Sequence, residues 1–229
     1  ESGHVRIYQN INNDWVKIGD DIDGEANNNY FGRSVSLSDD GSIVAIGATH
    51  NDGGGTYSGH VRVYQNVSGT WTQIGSDIDG EYSYNYSGYS VSLSSDGSVV
   101  AIGAPYNDDG GYDSGHVRIY ENNNGTWTQI ASDIDGESSS DYSGYSDSGS
   151  AVSLSSDGTV VAIGAHQNDD GGSNSGHVRI YKNIGTTGLN FTTDDTTAPV
   201  LSSSTPADDS TAITEGSNIV LNFSEAVDV

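Results

Sequence analysis

Carboxylates recur at one point of a repeating pattern in this chain. The segment Asp-Ile-Asp-Gly-Glu stands at residues 21–25, 77–81 and 133–137. An extended backbone turns alternate side chains to the same side, so Asp77, Asp79 and Glu81 are expected to lie together. Oxygen ligands at this spacing suit Ca²⁺ or Mg²⁺. These three residues are the candidate metal site and calcium is the candidate cofactor, although no complete calcium-binding motif occurs in the sequence.

Tyrosines and a glycine-rich acidic loop accompany these segments. The candidate partner-binding residues are Tyr82, Tyr84, Tyr86, Asn107, Asp108, Asp109 and Asp113. Tyrosine rings beside amide and carboxylate groups can hold a sugar through ring faces and hydrogen bonds, and tyrosine-rich loops also recognise proteins. The residue types alone do not separate a protein ligand from a glycan.

Histidine and arginine also recur once per repeat. The two series are His4, His60, His116 and His177, and Arg6, Arg62, Arg118 and Arg179. The chain has only seven lysines and arginines, so each arginine is expected to pair with a carboxylate, with Asp23, Asp79 and Asp135 as the predicted partners. A metal site needs clustered ligands, so histidines spread one per repeat are predicted to be packing residues.

The repetition also bears on catalysis. An enzyme normally breaks its repeat at one place to assemble a unique set of groups. Here nearly every acid and histidine has a repeat-related copy, and the sequence has no Ser-His-Asp pattern or phosphate-binding loop. We therefore expect a chain that is not an enzyme.

A hairpin that occurs three times must position these groups. In residues 89–105, two alternating apolar residues precede an Asp-Gly turn and an apolar run. Copies of this hairpin lie at 34–48 and 151–165. Each hairpin is followed by a Gly-His-Val-Arg strand, which recurs with a period of 56 residues and finally 61, and the first two of those strands are followed by a tryptophan strand. Four strands per repeat, A to D, predict an all-β propeller rather than a solenoid or a sandwich.

Alternating strand direction separates the connections of such a propeller. The A–B and C–D turns belong to one face, the turn face, and the B–C and D–A loops belong to the other, the loop face. The loop face collects the acidic and tyrosine-rich segments, so it is the predicted binding face. The residues predicted to be buried between blades are Val91, Leu93, Val99, Ala101 and Ile102.

Composition excludes several classes of partner. The 229 residues carry a formal net charge of −25 at pH 7, which disfavours nucleic acid and anionic membranes. The chain has no cysteine, so it has no disulfide framework or thiolate metal site, and no apolar run is long enough to span or insert into a membrane. It contains no methionine and starts inside a repeat, which indicates a piece of a longer protein.

The hairpins carry a family signature. Phe31-Gly32 precedes the first strand A, and Gly103-Ala104-Pro105 ends the second strand B. On these two halves of the FG-GAP motif, residues 1–182 resemble the FG-GAP repeats of integrin-α-like β-propellers. The resemblance implies an extracellular or cell-surface adhesion protein. The family's calcium loop between strands A and B is not carried over, because turns such as 94–97 offer too few carboxylates.

The end of the chain follows a different pattern. Residues 198–229 resemble the start of a bacterial Ig-like domain, as in Ala198-Pro199-Val200. The predicted organisation is therefore a partial propeller over 1–184, a polar linker over 185–197 and a truncated Ig-like segment over 198–229. Three repeats plus one extra C strand give thirteen strands. They predict an arc of three blades that lacks a D strand after 177–181 and exposes apolar faces at both ends.

The predicted function is a non-catalytic extracellular adhesion or interaction module. Its loop face would bind a protein, a glycan or a cation, and its other partners would be the remaining blades of the full-length protein. A glycan-binding propeller is the alternative, and a calcium-dependent scaffold or a hydrolase-associated propeller also stay open.

Overall fold

The computed structural model describes residues 2–144 and 151–183, and beyond them the backbone of three short strands. The described residues form strands and turns, and they include no helix long and apolar enough to cross a membrane. The strands are β1 His4–Val5, β2 Tyr8–Ile11, β3 Asp14–Lys17, β4 Ile22–Asp23, β5 Phe31–Leu37, β6 Ile43–Ala48, β7 His60–Val67, β8 Thr70–Gln73, β9 Ile78–Asp79, β10 Ser90–Leu93, β11 Val99–Ala104, β12 His116–Asn123, β13 Thr126–Gln129, β14 Ile134–Asp135, β15 Val152–Leu154, β16 Val160–Ala165, β17 His177–Asn183, β18 Phe191–Thr193, β19 Leu201–Thr205 and β20 Val220–Phe223.

These strands build successive antiparallel blades, which confirms the predicted all-β partial propeller. Blade 1 has the order β5-β6-β7-β8, blade 2 has β10-β11-β12-β13 and blade 3 has β15-β16-β17-β18. The short strands β9 and β14 extend blades 1 and 2 by pairing with β7 and β12. Before blade 1, β1–β4 and β2–β3 form a half-blade of the C and D type.

The A–B hairpin follows from its sequence. In blade 2, Val91 pairs with Ile102 and Leu93 pairs with Val100 in the antiparallel ladder. Gly97 takes the left-handed backbone conformation, with φ of 70°, that the turn requires. Strand β10 lies between β5 and β15, so the A strands of successive blades adjoin one another.

Burial between blades matches the prediction for all five core residues named above. Val91, Leu93 and Ile102 belong to one apolar cluster, between blades 1 and 2. Val99 and Ala101 belong to another, between blades 2 and 3. Because blade 2 is covered on both sides, β11 is buried at every position.

The outer sides of the array expose apolar residues, as predicted. Val35 of β5 is 54% exposed and Val178 of β17 is 69% exposed. The D-strand tryptophans also differ between the inside and the outer side of the array. Trp127 donates its indole N–H to the carbonyl oxygen of Ile74 in blade 1 at 2.9 Å, whereas Trp15 of the half-blade is 70% exposed.

The structure corrects the prediction that blade 3 lacks a D strand. Strand β18 pairs with β17, with Tyr181 opposite Thr193, and it lies inside the segment 185–197 expected as a linker. A three-residue strand without alternating apolar residues has no sequence signal, which is why it was missed. The chain divides into compact units at 1–193 and 194–229. In the second unit β19 pairs with β20, and the rest of the predicted Ig-like segment lies outside the described residues.

Candidate functional site

The loop face carries a cleft of about 690 Å³. One wall is the D–A loop that precedes β10, and the other is the B–C loop that follows β11. The cleft is lined by His50, Tyr82, Ser83, Tyr84, Asn85, Tyr86, Tyr89, Tyr106, Asp108, Asp109, Tyr112 and Asp113. This volume lies within the range of small-molecule sites in proteins.

Backbone hydrogen bonds fix the tyrosine wall to the neighbouring loop of blade 1. The amide of Tyr84 donates to the carbonyl of Thr56 at 2.8 Å, and the amide of Tyr86 donates to the carbonyl of Tyr57 at 3.1 Å. Tyr84 and Tyr86 have φ of 67° and 54°, a conformation that bulky side chains rarely adopt. The equivalent residues of the other repeats, Asn28 with Tyr30 and Ser140 with Tyr142, also have positive φ, so this conformation belongs to the loop of every repeat.

Aromatic rings follow one another along the loop face. The ring of His50 lies 4.3 Å from Tyr30 and 5.0 Å from Tyr86. Tyr86 lies 5.1 Å from Tyr106, which in turn lies 5.4 Å from Tyr142. Most of these rings meet edge to face, so the row presents both ring faces and hydroxyl groups to a ligand.

His50 is the titratable ring among these aromatics. Its Nδ1 lies 3.0 Å from the hydroxyl of buried Thr49, which fixes the ring. Burial lowers the pKa of His50 below its usual value of 6.5, so the imidazole is neutral at pH 7 and can accept a proton. Burial also raises the pKa of Tyr86, which keeps its hydroxyl protonated as a donor.

The opposite wall is acidic. Burial, and next the charge of Asp108, raise the pKa of Asp113 above its ordinary value. Asp113 Oδ2 lies 3.5 Å from the hydroxyl of Tyr142. No lysine or arginine is among the described residues that line the cleft. The guanidinium of Arg33 lies nearby, 4.3 Å from the ring centroid of Tyr89.

The structure gathers most of the predicted partner-binding residues around this cleft. Tyr82, Tyr84, Tyr86, Asp108, Asp109 and Asp113 all line it. Asn107 does not, because it is fully buried and its Oδ1 accepts the amide of Asp109 at 2.8 Å. Asn107 therefore holds the B–C loop in place and does not present its side chain to a partner.

The cleft breaks the repeat. His50 is replaced by Tyr106 and Gln167 at the equivalent positions of blades 2 and 3. The paired tyrosines Tyr82 and Tyr84 become serines in the next repeat. A unique set of groups is thus assembled between blades 1 and 2. Reasoning from the parts that all repeats share overlooks this set.

A second group of polar residues lies where the repeat histidines meet the acidic segments. Glu81, Asp109, His116 and Asp133 bring one ligand atom each to within 4.8 Å of one another. Related clusters are Glu25 with His60 and Asp77, and Glu137 with Asp170 and His177. The residues of the predicted metal site, Asp77, Asp79 and Glu81, therefore do not lie in one cluster. Asp77 and Glu81 belong to different clusters, and Asp79 pairs with His60 in the β7–β9 ladder.

The arginine partners differ from those predicted. Arg62 Nε donates to Asp77 Oδ1 at 2.8 Å, and Arg6 Nε donates to Asp21 Oδ2 at 2.8 Å. Each partner lies two residues before the predicted one. The cause is strand register, because His60 stands opposite Asp79 and the antiparallel ladder then brings Arg62 beside Asp77. The fixed offset between each histidine and the following Asp-Ile-Asp was the signal for these clusters, and the sequence reasoning did not use it.

Comparison with protein families agrees with the motifs. The model of the FG-GAP repeat matches residues 21–64, and that of the bacterial Ig-like domain matches residues 195–229. The chain therefore carries an FG-GAP repeat and a bacterial Ig-like segment. No curated protein sequence matches it significantly.

Solved structures with a similar fold are propellers. A protein described as a 6-phosphogluconolactonase from Bacteroides uniformis has a TM-score of 0.54 and 15% identity, covering 83% of this chain and 48% of its own. The periplasmic gluconolactonase PpgL of Pseudomonas aeruginosa has a TM-score of 0.48 and 16% identity, covering 88% of this chain and 55% of its own. This chain thus spans about half the length of these proteins.

These similarities correct two predictions. A non-catalytic adhesion module and the absence of enzymatic activity were expected, but the similar propeller from Bacteroides uniformis carries the name of a lactone hydrolase. The argument from repetition was wrong because the loops diverge where the hairpins do not. At this level of identity the similarity itself establishes the propeller fold.

Proposed function

We propose that the chain is a hydrolase-type propeller whose cleft binds a neutral sugar lactone and opens its ring with water. The observation that carries the proposal is the cleft itself. It combines a row of tyrosine rings, a neutral histidine and a wall of carboxylates in a volume suited to a sugar-sized molecule. The names of the similar propellers supply the reaction class.

The chemistry requires a base, a donor and a binding platform. His50 takes a proton from water as the water oxygen attacks the lactone carbonyl carbon, and the protonated imidazole then returns that proton to the ring oxygen as the C–O bond breaks. Hydroxyl groups such as that of Tyr86 donate hydrogen bonds to the carbonyl oxygen as negative charge develops there. The carboxylate of Asp113 accepts hydrogen bonds from sugar hydroxyl groups.

Charge selects among lactones. Asp108, Asp109 and Asp113 give the cleft a negative potential, and Arg33 at the Tyr89 edge offsets only part of it. A phosphorylated lactone would bring like charge into this wall. The preferred substrate is therefore uncharged.

Location follows from the same features. An FG-GAP repeat joined to a bacterial Ig-like segment supports a secreted or periplasmic protein. Exposure on the cell surface is the finer form of this proposal, and fractionation of the source cells tests it.

The reaction is tested with D-glucono-δ-lactone in a pH-stat, against its spontaneous hydrolysis. Replacing His50→Gln should lower kcat by about 100-fold with little change in KM, and Tyr106→Ala should raise KM. Because the pKa of His50 is lowered, the rate should hold as pH falls to 6.5 and decline only below it.

The matched control is Tyr8→Ala, which removes a half-exposed tyrosine of β2 outside the cleft. It should leave both kinetic constants unchanged. A wild-type rate equal to spontaneous hydrolysis, or a rate insensitive to His50→Gln, contradicts the proposal. Faster turnover of the 6-phosphorylated lactone contradicts the charge argument alone.

A further inference from the structure

The four-residue cluster of blade 2 differs from the cluster of blade 1 in how its carboxylates are satisfied. In blade 1, Arg62 donates to Asp77 through Nε at 2.8 Å and Nη2 at 2.7 Å, and to Glu25 through Nη2 at 2.5 Å. One guanidinium thus occupies both carboxylates of the cluster. In blade 3, Arg179 Nη2 forms an ion pair with Glu137, and its Nη1 donates to the hydroxyl of Tyr181 at 3.1 Å.

Blade 2 lacks the arrangement seen in blade 1, in which one guanidinium satisfies two carboxylates. Arg118 Nη2 makes no hydrogen bond and stays 3.5 Å from Glu81 Oε2, while Nη1 donates to the hydroxyl of Tyr120 at 2.6 Å. Blade 2 also has an additional carboxylate, because Asp109 stands where blade 1 has Gly53. Three carboxylates then face one arginine, which leaves the cluster with excess negative charge.

A buried histidine points into this cluster. His116 is 2% exposed, and its Nδ1 makes no hydrogen bond. The same Nδ1 lies 3.6 Å from Asp133 Oδ2, so this nitrogen lies beside the carboxylates of the cluster. A buried nitrogen without a hydrogen bond is costly unless a further group engages it.

We propose that Glu81, Asp109, His116 and Asp133 form a binding site for one divalent transition-metal ion of the zinc type. One imidazole nitrogen with three carboxylate oxygens is a donor set that Zn²⁺ accepts in four-coordinate geometry. Ca²⁺ fits less well, because it requires six or more oxygen ligands. The ion would tie the connection between blades 1 and 2, which contributes Glu81, to the strands of blade 2. Zinc binding does not require lactone hydrolysis, although Asp109 also lines the cleft.

The test is calorimetric titration of Zn²⁺ into untagged protein previously dialysed against a chelator. Wild type should bind one ion per chain, and Asp109→Asn should weaken binding about tenfold or more. Glu25→Gln is the matched control, because it alters the equivalent cluster that Arg62 fills, and its affinity should equal that of wild type. Melting temperatures without zinc establish that both variants are folded.

A second readout is specific to the histidine. Zinc should shift the imidazole nitrogen signals of His116 in a long-range ¹H–¹⁵N spectrum and leave those of His60 in place. The proposal is overturned if wild type binds no zinc, if Glu25→Gln weakens binding as much as Asp109→Asn, or if the His116 signals do not respond. Equal affinity for Ca²⁺ overturns the assignment of the metal type.

Discussion

Asp96 on the turn face and Asp113 on the loop face have pKa shifts of opposite direction. On the turn face, Asp96 accepts hydrogen bonds from the hydroxyl of Ser94 at 2.8 Å and from the hydroxyl of Ser98 at 2.7 Å, and these bonds lower its pKa. The equivalent bonds, led by the one from Ser155, lower the pKa of Asp157 to about 2. On the loop face, burial raises the pKa of Asp113.

The difference teaches which carboxylates are structural. A turn-face aspartate finds its donors within two residues, so its charge is stabilised by its own hairpin. Asp113 is partly desolvated without an equal supply of local donors, and a ligand can provide the missing hydrogen bonds. The number of acidic residues is therefore a poor guide to a binding face, whereas the donors around each carboxylate identify the structural ones. Asp77 of the loop face is one of these, because Arg62 donates a hydrogen bond to it and lowers its pKa.

The largest expected loss of stability comes from a steric clash in a hairpin turn of the turn face. In Gly97→Ala the new methyl group would lie 2.7 Å from Cδ1 of Ile43, at a φ of 70°. Left-handed strain of about 1–2 kcal/mol and overpacking of about 1–3 kcal/mol should together lower the free energy of unfolding by about 3 kcal/mol. Urea denaturation measures this change.

Gly41→Ala is the matched control in blade 1. It has φ of 69° but no atom within 4 Å of the new methyl group, so it should cost about 1 kcal/mol from strain alone. Equal losses for the two variants would show that contact with Ile43 does not contribute.

An intermediate effect separates structural from ligand-directed aspartates. Asp96→Ala removes the acceptor of the turn and should lower the free energy of unfolding by about 1 kcal/mol, while lactone turnover stays unchanged. Asp113→Asn should change stability by less than about 0.5 kcal/mol and should raise KM for the lactone. Denaturation and kinetics should show that Asp96→Ala changes stability alone and that Asp113→Asn changes KM alone. Two variants that change both quantities alike would contradict the distinction between these aspartates.

The smallest expected effect is the difference between the pH values at which these aspartates take up a proton. Asp96 and Asp157 have lowered pKa values, so the stability they contribute is complete above the unfolded value of about 3.9 and is lost as pH falls through their folded values. Asp113 has a raised pKa, so it takes up its proton at higher pH, and its protonation relieves a cost. Carboxyl ¹³C NMR titration should show Asp113 protonating first. The reverse order would contradict the assignment.

The sequence predicted the face on which the cleft lies, but it did not predict all the residues that line the cleft. Strand alternation placed 82–86 and 108–113 on the same face, and both segments line the cleft. His50 was missed as a member because it lies in a different repeat, about thirty residues before the nearest tyrosine of that wall. Asn107 was included because its residue type suits a binding loop, whereas its burial depends on the path of that loop.

By itself, the sequence determined the blades and their period, because strand pairing within a hairpin depends on residues close along the chain. The alternating and continuous apolar strands also indicated which residues are buried between blades. Val91 and Leu93 alternate and Asp96-Gly97 turns, so the hairpin is encoded locally. Tertiary structure decided in which blades the equivalent residues make different contacts. Whether an arginine fills a cluster, as in blade 1, or leaves it open, as in blade 2, depends on strand register and on residues from adjoining blades. Arg62 and Glu25 are 37 residues apart in the chain, so the pattern of a single hairpin does not record their contact.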